Sequence, residues 1–119
     1  MNYYYIIYKP YQVLSQFSFS EGKQTLADFF DVPKDVYPVG RLDYDSEGLL
    51  LLTNDRSLNN KLLNPAFEHE REYWVQVDGA INTAAIMQLQ NGVTINIDGK
   101  KYHTKKCIAS LFTIDPAVP

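Results

Sequence analysis

The chain has 119 residues, a hydrophobic content of 45% and a formal net charge of -3 at pH 7. This length supports one hydrophobic core and leaves little chain for a second folding unit, so we expect a single domain. A mildly acidic balance argues against a protein that holds nucleic acid through a strong overall positive field, so any RNA binding must be local. A single cysteine excludes an internal disulfide, and no Cys/His cluster has the spacing of a structural zinc site. These features fit a reducing cytoplasm.

The first third of the chain predicts two strands and a short helix. Residues 3–8 are aromatic and β-branched, which favours a first strand. Residues 13–19 alternate between apolar and polar side chains and predict a second strand that pairs with the first. Thr25 is a suitable N-cap for a short helix over residues 25–30.

The middle of the chain predicts a buried strand followed by a helix. Residues 49–52 are a continuous run of leucines between two polar turn segments, which is typical of a buried strand. Asp55 is one of three consecutive polar residues that can cap the next helix. Pro65 ends that helix, because proline cannot continue the hydrogen-bond ladder.

The last third predicts one more strand, a helix and a hairpin. Residues 73–77 alternate as in a strand, and Asn82 is a suitable cap for the helix that follows. Asp98-Gly99 is the strongest hairpin signal in the chain, and it separates a strand at residues 93–97 from one at about residues 101–111.

These elements predict an α+β fold with a mainly antiparallel, mixed sheet and short helices. Cys107 falls on the last predicted strand and is expected to be a small buried hydrophobe. Beyond Ile114 the strand pattern meets two prolines without a closing element, which we interpret as a C-terminal truncation.

The candidate catalytic residues lie between residues 39 and 55. Arg41 and Asp43 are two residues apart beside Gly40, so their side chains project from the same face of an extended segment. A guanidinium at that distance favours the ionised carboxylate. Such a carboxylate suits either a nucleophile or a group that stabilises developing positive charge.

Two other interpretations of this segment stay open at this point. Arg41 and Asp43 could form an ordinary surface ion pair in a non-catalytic module that binds RNA or protein. Alternatively, Asp43, Asp45, Glu47 and Gly48 match the first half of a calcium-binding loop. The second half does not match, because its twelfth position is Asn54 instead of a glutamate.

The run at residues 40–55 is similar to the signature of the pseudouridine synthases that modify ribosomal RNA. It reads Gly-Arg-Leu-Asp-Tyr-Asp-Ser-Glu-Gly-Leu-Leu-Leu-Leu-Thr-Asn-Asp. Segments at residues 9–17, 71–79 and 89–99 agree with the same family in the same order. The resemblance therefore covers nearly the whole chain, and it is strongest to the enzymes of the large ribosomal subunit.

The resemblance implies that Asp43 is the catalytic carboxylate, and that Arg41 and Tyr73 contact the substrate. In this family a specific uridine is flipped out of the RNA, its glycosidic bond is cleaved with the help of the aspartate, and the base is rejoined through carbon. No metal and no other cofactor is implied, and the implied partner is ribosomal RNA, with no membrane.

Four basic residues are predicted RNA contacts: Lys9, Arg71, Lys100 and Lys101. The chain opens at the family's Lys-Pro strand, so we expect the N-terminal part of a catalytic domain without a separate N-terminal RNA-binding module. The family's arginine-rich later motif has no counterpart before Pro119. We therefore expect the chain alone to bind RNA weakly and to turn over little or nothing.

Overall fold

The structure, a computed structural model, describes residues 1–118, which divide into two compact units. The first unit is Met1–Glu72 and the second begins at Tyr73. The first unit contains five strands and one α-helix: β1 (Tyr4–Lys9), β2 (Val13–Leu14), β3 (Gln24–Thr25), β4 (Tyr37–Pro38), β5 (Gly48–Thr53) and α1 (Arg56–Leu63). Short 3-10 helices cover Leu26–Asp28 and Pro65–Phe67.

The main sheet has the order β1-β5-β4, with both pairs antiparallel. The β1–β5 ladder runs from Tyr4 opposite Thr53 to Lys9 opposite Gly48. The predicted pairing of the first two strands is therefore wrong. The second strand extends over two residues only and pairs with β3 in parallel, because the leucine run of β5 offers β1 a much longer ladder. The predicted α+β fold with mainly antiparallel strands is confirmed, but the strands form small separate sheets and the parallel β2–β3 pair is a sheet of its own.

The hydrophobic core lies on one face of this sheet. Its fully buried members are Val13, Leu26, Val36, Leu50 and Leu52. The alternation of side chains along β5 points Leu50 and Leu52 into this core and leaves Leu49 exposed on the opposite face.

The N-caps that the sequence predicts are confirmed in the first unit. Thr25 and Asp28 form a capping box around the 3-10 helix Leu26–Asp28. The carboxylate of Asp55 accepts the backbone N–H of Leu58 at 3.2 Å and so caps α1. The same carboxylate accepts the hydroxyl of Tyr4 at 2.7 Å, which ties β1 to the start of the helix.

The pKa of Asp55 predicts part of the acid sensitivity of the fold. The Tyr4 hydroxyl and then the Leu58 N–H lower the pKa of this carboxyl below its ordinary value of 3.8. A carboxyl with a lowered folded pKa contributes stability above its unfolded pKa and loses it as the pH falls through the folded value. Asp55→Asn keeps an acceptor for the cap but cannot titrate, so its melting temperature should fall less steeply below pH 3.8 than that of the wild type. Parallel acid limbs for the variant and the wild type would contradict the assignment.

The second unit contains α2 (Thr83–Asn91) and a hairpin of β6 (Thr94–Ile97) and β7 (Lys100–His103). The side chain of Asn82 accepts the N–H of Ala85 at 2.8 Å, as a cap should. Asp98 and Gly99 both have positive φ, 49° and 78°, which is the backbone of a type I′ turn. The predicted helix and hairpin are therefore confirmed.

Three predictions for the second unit are wrong. Residues 73–77 form no strand among the described residues, because an alternating pattern needs a neighbouring strand and β6 pairs only with β7. The strand after the hairpin turn ends at His103 and not near Leu111. Cys107 is exposed, outside any strand, and its thiol donates to the carbonyl of Leu89 at 3.2 Å. In the described part of the chain, no helix is long and apolar enough to cross a membrane.

Candidate functional site

The candidate site is the loop of residues 39–47, which connects the adjacent strands β4 and β5. The N–H of Val39 donates to the carbonyl of Leu51 at 2.8 Å, so the loop leaves the sheet directly after this bond. Gly40 follows with a φ of 76°, in the left-handed region that favours glycine. A Cβ at this position would lie 3.2 Å from the Leu63 side chain, which further restricts substitution.

Hydrogen bonds to main-chain groups hold the centre of this loop. The hydroxyl of Ser15 accepts the N–H of Leu42 at 3.1 Å and donates to the carbonyl of the same residue at 3.0 Å. The N–H of Gln12 donates to the carbonyl of Tyr44 at 2.8 Å. The backbone is thus fixed on both sides of Asp43, whose own carbonyl accepts a turn-forming N–H from Ser46 at 3.0 Å.

The side chains of Arg41 and Asp43 are both exposed on this fixed loop. Within residues 1–118 they form no salt bridge with each other. The physical reason is that solvent screens an exposed pair, and the small gain does not offset the entropy of holding two side chains together. Asp43 is therefore open to a substrate.

Lys9 is buried at the end of β1, opposite Gly48, where the acidic part of the loop joins β5. Its side chain has 0% exposure, and its ammonium donates to the carbonyls of Pro10 and Val13, both at 2.8 Å. Desolvation lowers the pKa of Lys9, while the negative charges of Glu47, Asp45 and Asp43 oppose the shift.

The prediction that Lys9 contacts RNA is corrected by this burial. A phosphate cannot reach an ammonium that is covered by protein and already bonded to two carbonyls. The parity of β1 explains the position, since Lys9 shares the core-facing side of the strand with Tyr5 and Ile7. The alternation of residues 5, 7 and 9 along the predicted first strand already indicates in the sequence that Lys9 faces the core.

An open cleft of about 390 Å³ lies beside the loop and is lined in part by Arg41, Lys34, Gln16 and Tyr37. Arg41 and Lys34 give this cleft a positive side. Asp43 does not line it. In residues 1–118 no three His, Cys, Asp or Glu side chains are grouped so that they could hold a metal ion.

The remaining predicted site residues are all exposed. Arg71, in the first unit, donates to the carbonyl of Leu62 near the end of α1 at 3.0 Å. Tyr73 begins the second unit and is 62% exposed. Lys100 and Lys101 are neighbours on β7, so their side chains point to opposite faces of the hairpin.

The chain belongs to the RNA pseudouridylate synthase family, whose model matches residues 3–114. The resemblance seen in the sequence is thereby confirmed. Over 90 residues it is 52% identical to ribosomal large subunit pseudouridine synthase E of Vibrio vulnificus, a match that covers 76% of this chain and 38% of the relative. Over 119 residues it is 44% identical to the synthase E of Xanthomonas campestris, covering 95% of this chain and 63% of the relative.

More distant relatives agree with this assignment. Ribosomal large subunit pseudouridine synthase B of Bacillus subtilis is 38% identical over 109 residues, which cover 91% of this chain and 44% of the relative. A crystal structure of a pseudouridylate synthase matches with a TM-score of 0.70 at 23% identity, covering 89% of this chain and 45% of that one. At this identity the match shows the fold alone. The chain thus spans less than two thirds of the length of these relatives.

Proposed function

We propose that the protein isomerises a uridine to pseudouridine in the RNA of the large ribosomal subunit, with Asp43 as its catalytic carboxylate. The observation that supports this most directly is an exposed carboxylate on a loop whose backbone is fixed on either side of it. Relatives named for action on the large ribosomal subunit supply the substrate class.

The reaction is an isomerisation, so its atoms balance without a co-reactant. The bond between C1′ of the ribose and N1 of the uracil breaks, and a bond between C1′ and C5 forms. C5 loses its proton, and N1 gains one. A stacked base cannot present its C1′ to a carboxylate, so the nucleotide must first leave the RNA stack.

Asp43 acts on C1′ when the glycosidic bond breaks. An ionised carboxylate stabilises positive charge at the anomeric carbon, either by bonding to it or by assisting elimination from the sugar. Its exposed position leaves it accessible to a flipped nucleotide. Because the Leu42 and Tyr44 main chains are already fixed, little order has to be gained when substrate binds.

Two further residues are assigned to the substrate. Arg41, which lines the positive side of the cleft beside the loop, contacts the phosphate or sugar next to the target uridine. Tyr73 stacks on the flipped uracil, a role that suits an exposed aromatic ring. Arg71, Lys100 and Lys101 are the basic groups proposed to neutralise phosphates farther along the RNA.

To test the substrate, the protein as its gene encodes it is incubated with unmodified ribosomal RNA made by transcription in vitro. We expect pseudouridine in the large-subunit transcript and none in the small-subunit transcript, measured by mass spectrometry of nucleosides after digestion. A matched reaction without protein is the control. Pseudouridine only in the small-subunit transcript would contradict the substrate, and none in either transcript would contradict the activity.

A further inference from the structure

Ser15 makes two hydrogen bonds that join distant parts of the first unit. It is 7% exposed and lies just after β2, 27 residues before the residue it contacts. Its hydroxyl oxygen accepts the N–H of Leu42 at 3.1 Å, and its proton goes to the carbonyl of Leu42 at 3.0 Å. One small side chain therefore uses both its donor and an acceptor site on a single residue.

These two bonds restrain both peptide planes around Leu42. The N–H of Leu42 belongs to the peptide that links it to Arg41, and its carbonyl belongs to the peptide that links it to Asp43. Fixing both planes fixes φ and ψ of Leu42, the two soft dihedrals at this residue. The Cα of Asp43 is one peptide beyond that point, so its position depends on these angles.

The Ser15 side of the contact is itself rigid. Val13, two residues earlier, has 0% exposure and its carbonyl is bonded to the buried ammonium of Lys9. The carbonyl of Gln16, one residue later, accepts the N–H of Leu26, a core residue, at 2.9 Å. Ser15 thus connects the loop of Asp43 to the hydrophobic core.

We propose that Ser15 is a positioning residue that holds Asp43 in the geometry its chemistry needs. This inference rests on the proposed function, since it requires Asp43 to be catalytic. Ser15 lines the cleft beside the loop, but its hydroxyl proton is already donated to the carbonyl of Leu42. It acts through Leu42, and without its two hydrogen bonds the Asp43 carboxylate is free to shift. A misplacement of about 1 Å can cost about a hundredfold in rate.

The test compares Ser15→Ala with a matched buried hydroxyl elsewhere in the first unit. Thr53 is 1% exposed, donates to the carbonyl of Tyr3 at 2.6 Å and accepts the N–H of Asp55 at 3.0 Å. Like Ser15, it therefore uses its proton and an acceptor site on main-chain groups, but it lies at the opposite end of β5 from the candidate loop. Thr53→Ala reports what the loss of such a hydroxyl does to stability alone.

Both alanine variants should melt at a lower temperature than the wild type. Only Ser15→Ala should also lose kcat, by about 10-fold to 100-fold on large-subunit RNA, with KM changed by less than about twofold. Measurements are made well below both melting temperatures. Ser15→Thr, which retains the hydroxyl, should recover most of the lost kcat.

Ser15→Cys keeps the experiment decisive if Ser15→Ala does not fold. It retains most of the side-chain volume but forms weaker hydrogen bonds, so kcat should again fall while the fold persists. Wild-type kcat in whichever of the two variants folds would overturn the inference, as would an equal loss of kcat in Thr53→Ala. An active Asp43→Asn in the same assay overturns the proposed function instead, so the two failures are distinguishable.

Discussion

Asp43→Asn is expected to abolish pseudouridine formation, with a loss of at least about a thousandfold in kcat. The amide has nearly the same shape as the carboxylate, but it carries no charge and cannot stabilise a positive anomeric carbon or bond to it. The Asp43 side chain is exposed and makes no hydrogen bond within residues 1–118, so its replacement should leave the fold intact. The measurement is single-turnover conversion of uridine in a large-subunit transcript by the protein as its gene encodes it.

Asp45→Asn is the matched control for this experiment. Asp45 is an exposed carboxylate in the same loop, two residues farther along, and its removal changes the net charge by the same amount. We expect its activity to stay within about threefold of the wild type, since it loses only a small part of the local field. If Asp43→Asn converts uridine as fast as Asp45→Asn does, the loop is part of a non-catalytic binding module and the catalytic assignment is wrong.

The elements that the sequence predicts well are those determined by neighbouring residues. Asp55 and Asn82 cap the two α-helices as expected, because a cap is a contact between residues three apart. The hairpin turn at Asp98-Gly99 is equally local, since only two residues have to adopt positive φ. None of these predictions requires knowledge of the rest of the fold.

The features that the sequence misses depend on distant partners. The β1 strand could pair with either of two later segments, and the longer ladder with β5, about 45 residues away, prevails. Residues 73–77 have a strand pattern, but a pattern does not supply a neighbouring strand. The contact between Ser15 and Leu42 spans 27 residues. A serine within an alternating segment gives no sign of such a partner.

The family signature places Asp43 in the candidate site but does not reveal how the loop is supported. Sequence alone suggested that Arg41 would hold the carboxylate through charge. In the structure, the Ser15 hydroxyl and the Gln12 N–H support the loop by hydrogen bonds to its main chain, which no charge pattern predicts. The ammonium of Lys9 is buried and bonded to the carbonyls of Pro10 and Val13, so an inventory of charged residues in the sequence misreads it as an RNA contact.

Lys9→Met is expected to be the most destabilising single substitution in the site, at about 2–4 kcal/mol of the free energy of unfolding. Methionine fills much of the same volume, but it leaves the carbonyls of Pro10 and Val13 without the donor they now share. An unsatisfied buried carbonyl such as that of Val13 costs about 1–3 kcal/mol, and the half-buried carbonyl of Pro10 adds to this cost, so together they outweigh the relief of removing a buried charge. Urea denaturation measures the change. Lys34→Met, at an exposed lysine, is the control and should stay within about 0.5 kcal/mol of the wild type.

The pH dependence of the free energy of unfolding, compared between the wild type and Lys9→Met, tests the charge of Lys9 itself. Burial lowers its folded pKa below the ordinary value of 10.5, so near that pH the unfolded chain binds more protons than the native one. Stability then rises with pH in the window that ends at 10.5, since the cost of the buried charge disappears as Lys9 loses its proton. The advantage of the wild type over Lys9→Met should therefore grow as the pH approaches 10.5. An advantage that shrinks instead would mean that Asp43, Asp45 and Glu47 stabilise the ammonium by more than burial destabilises it.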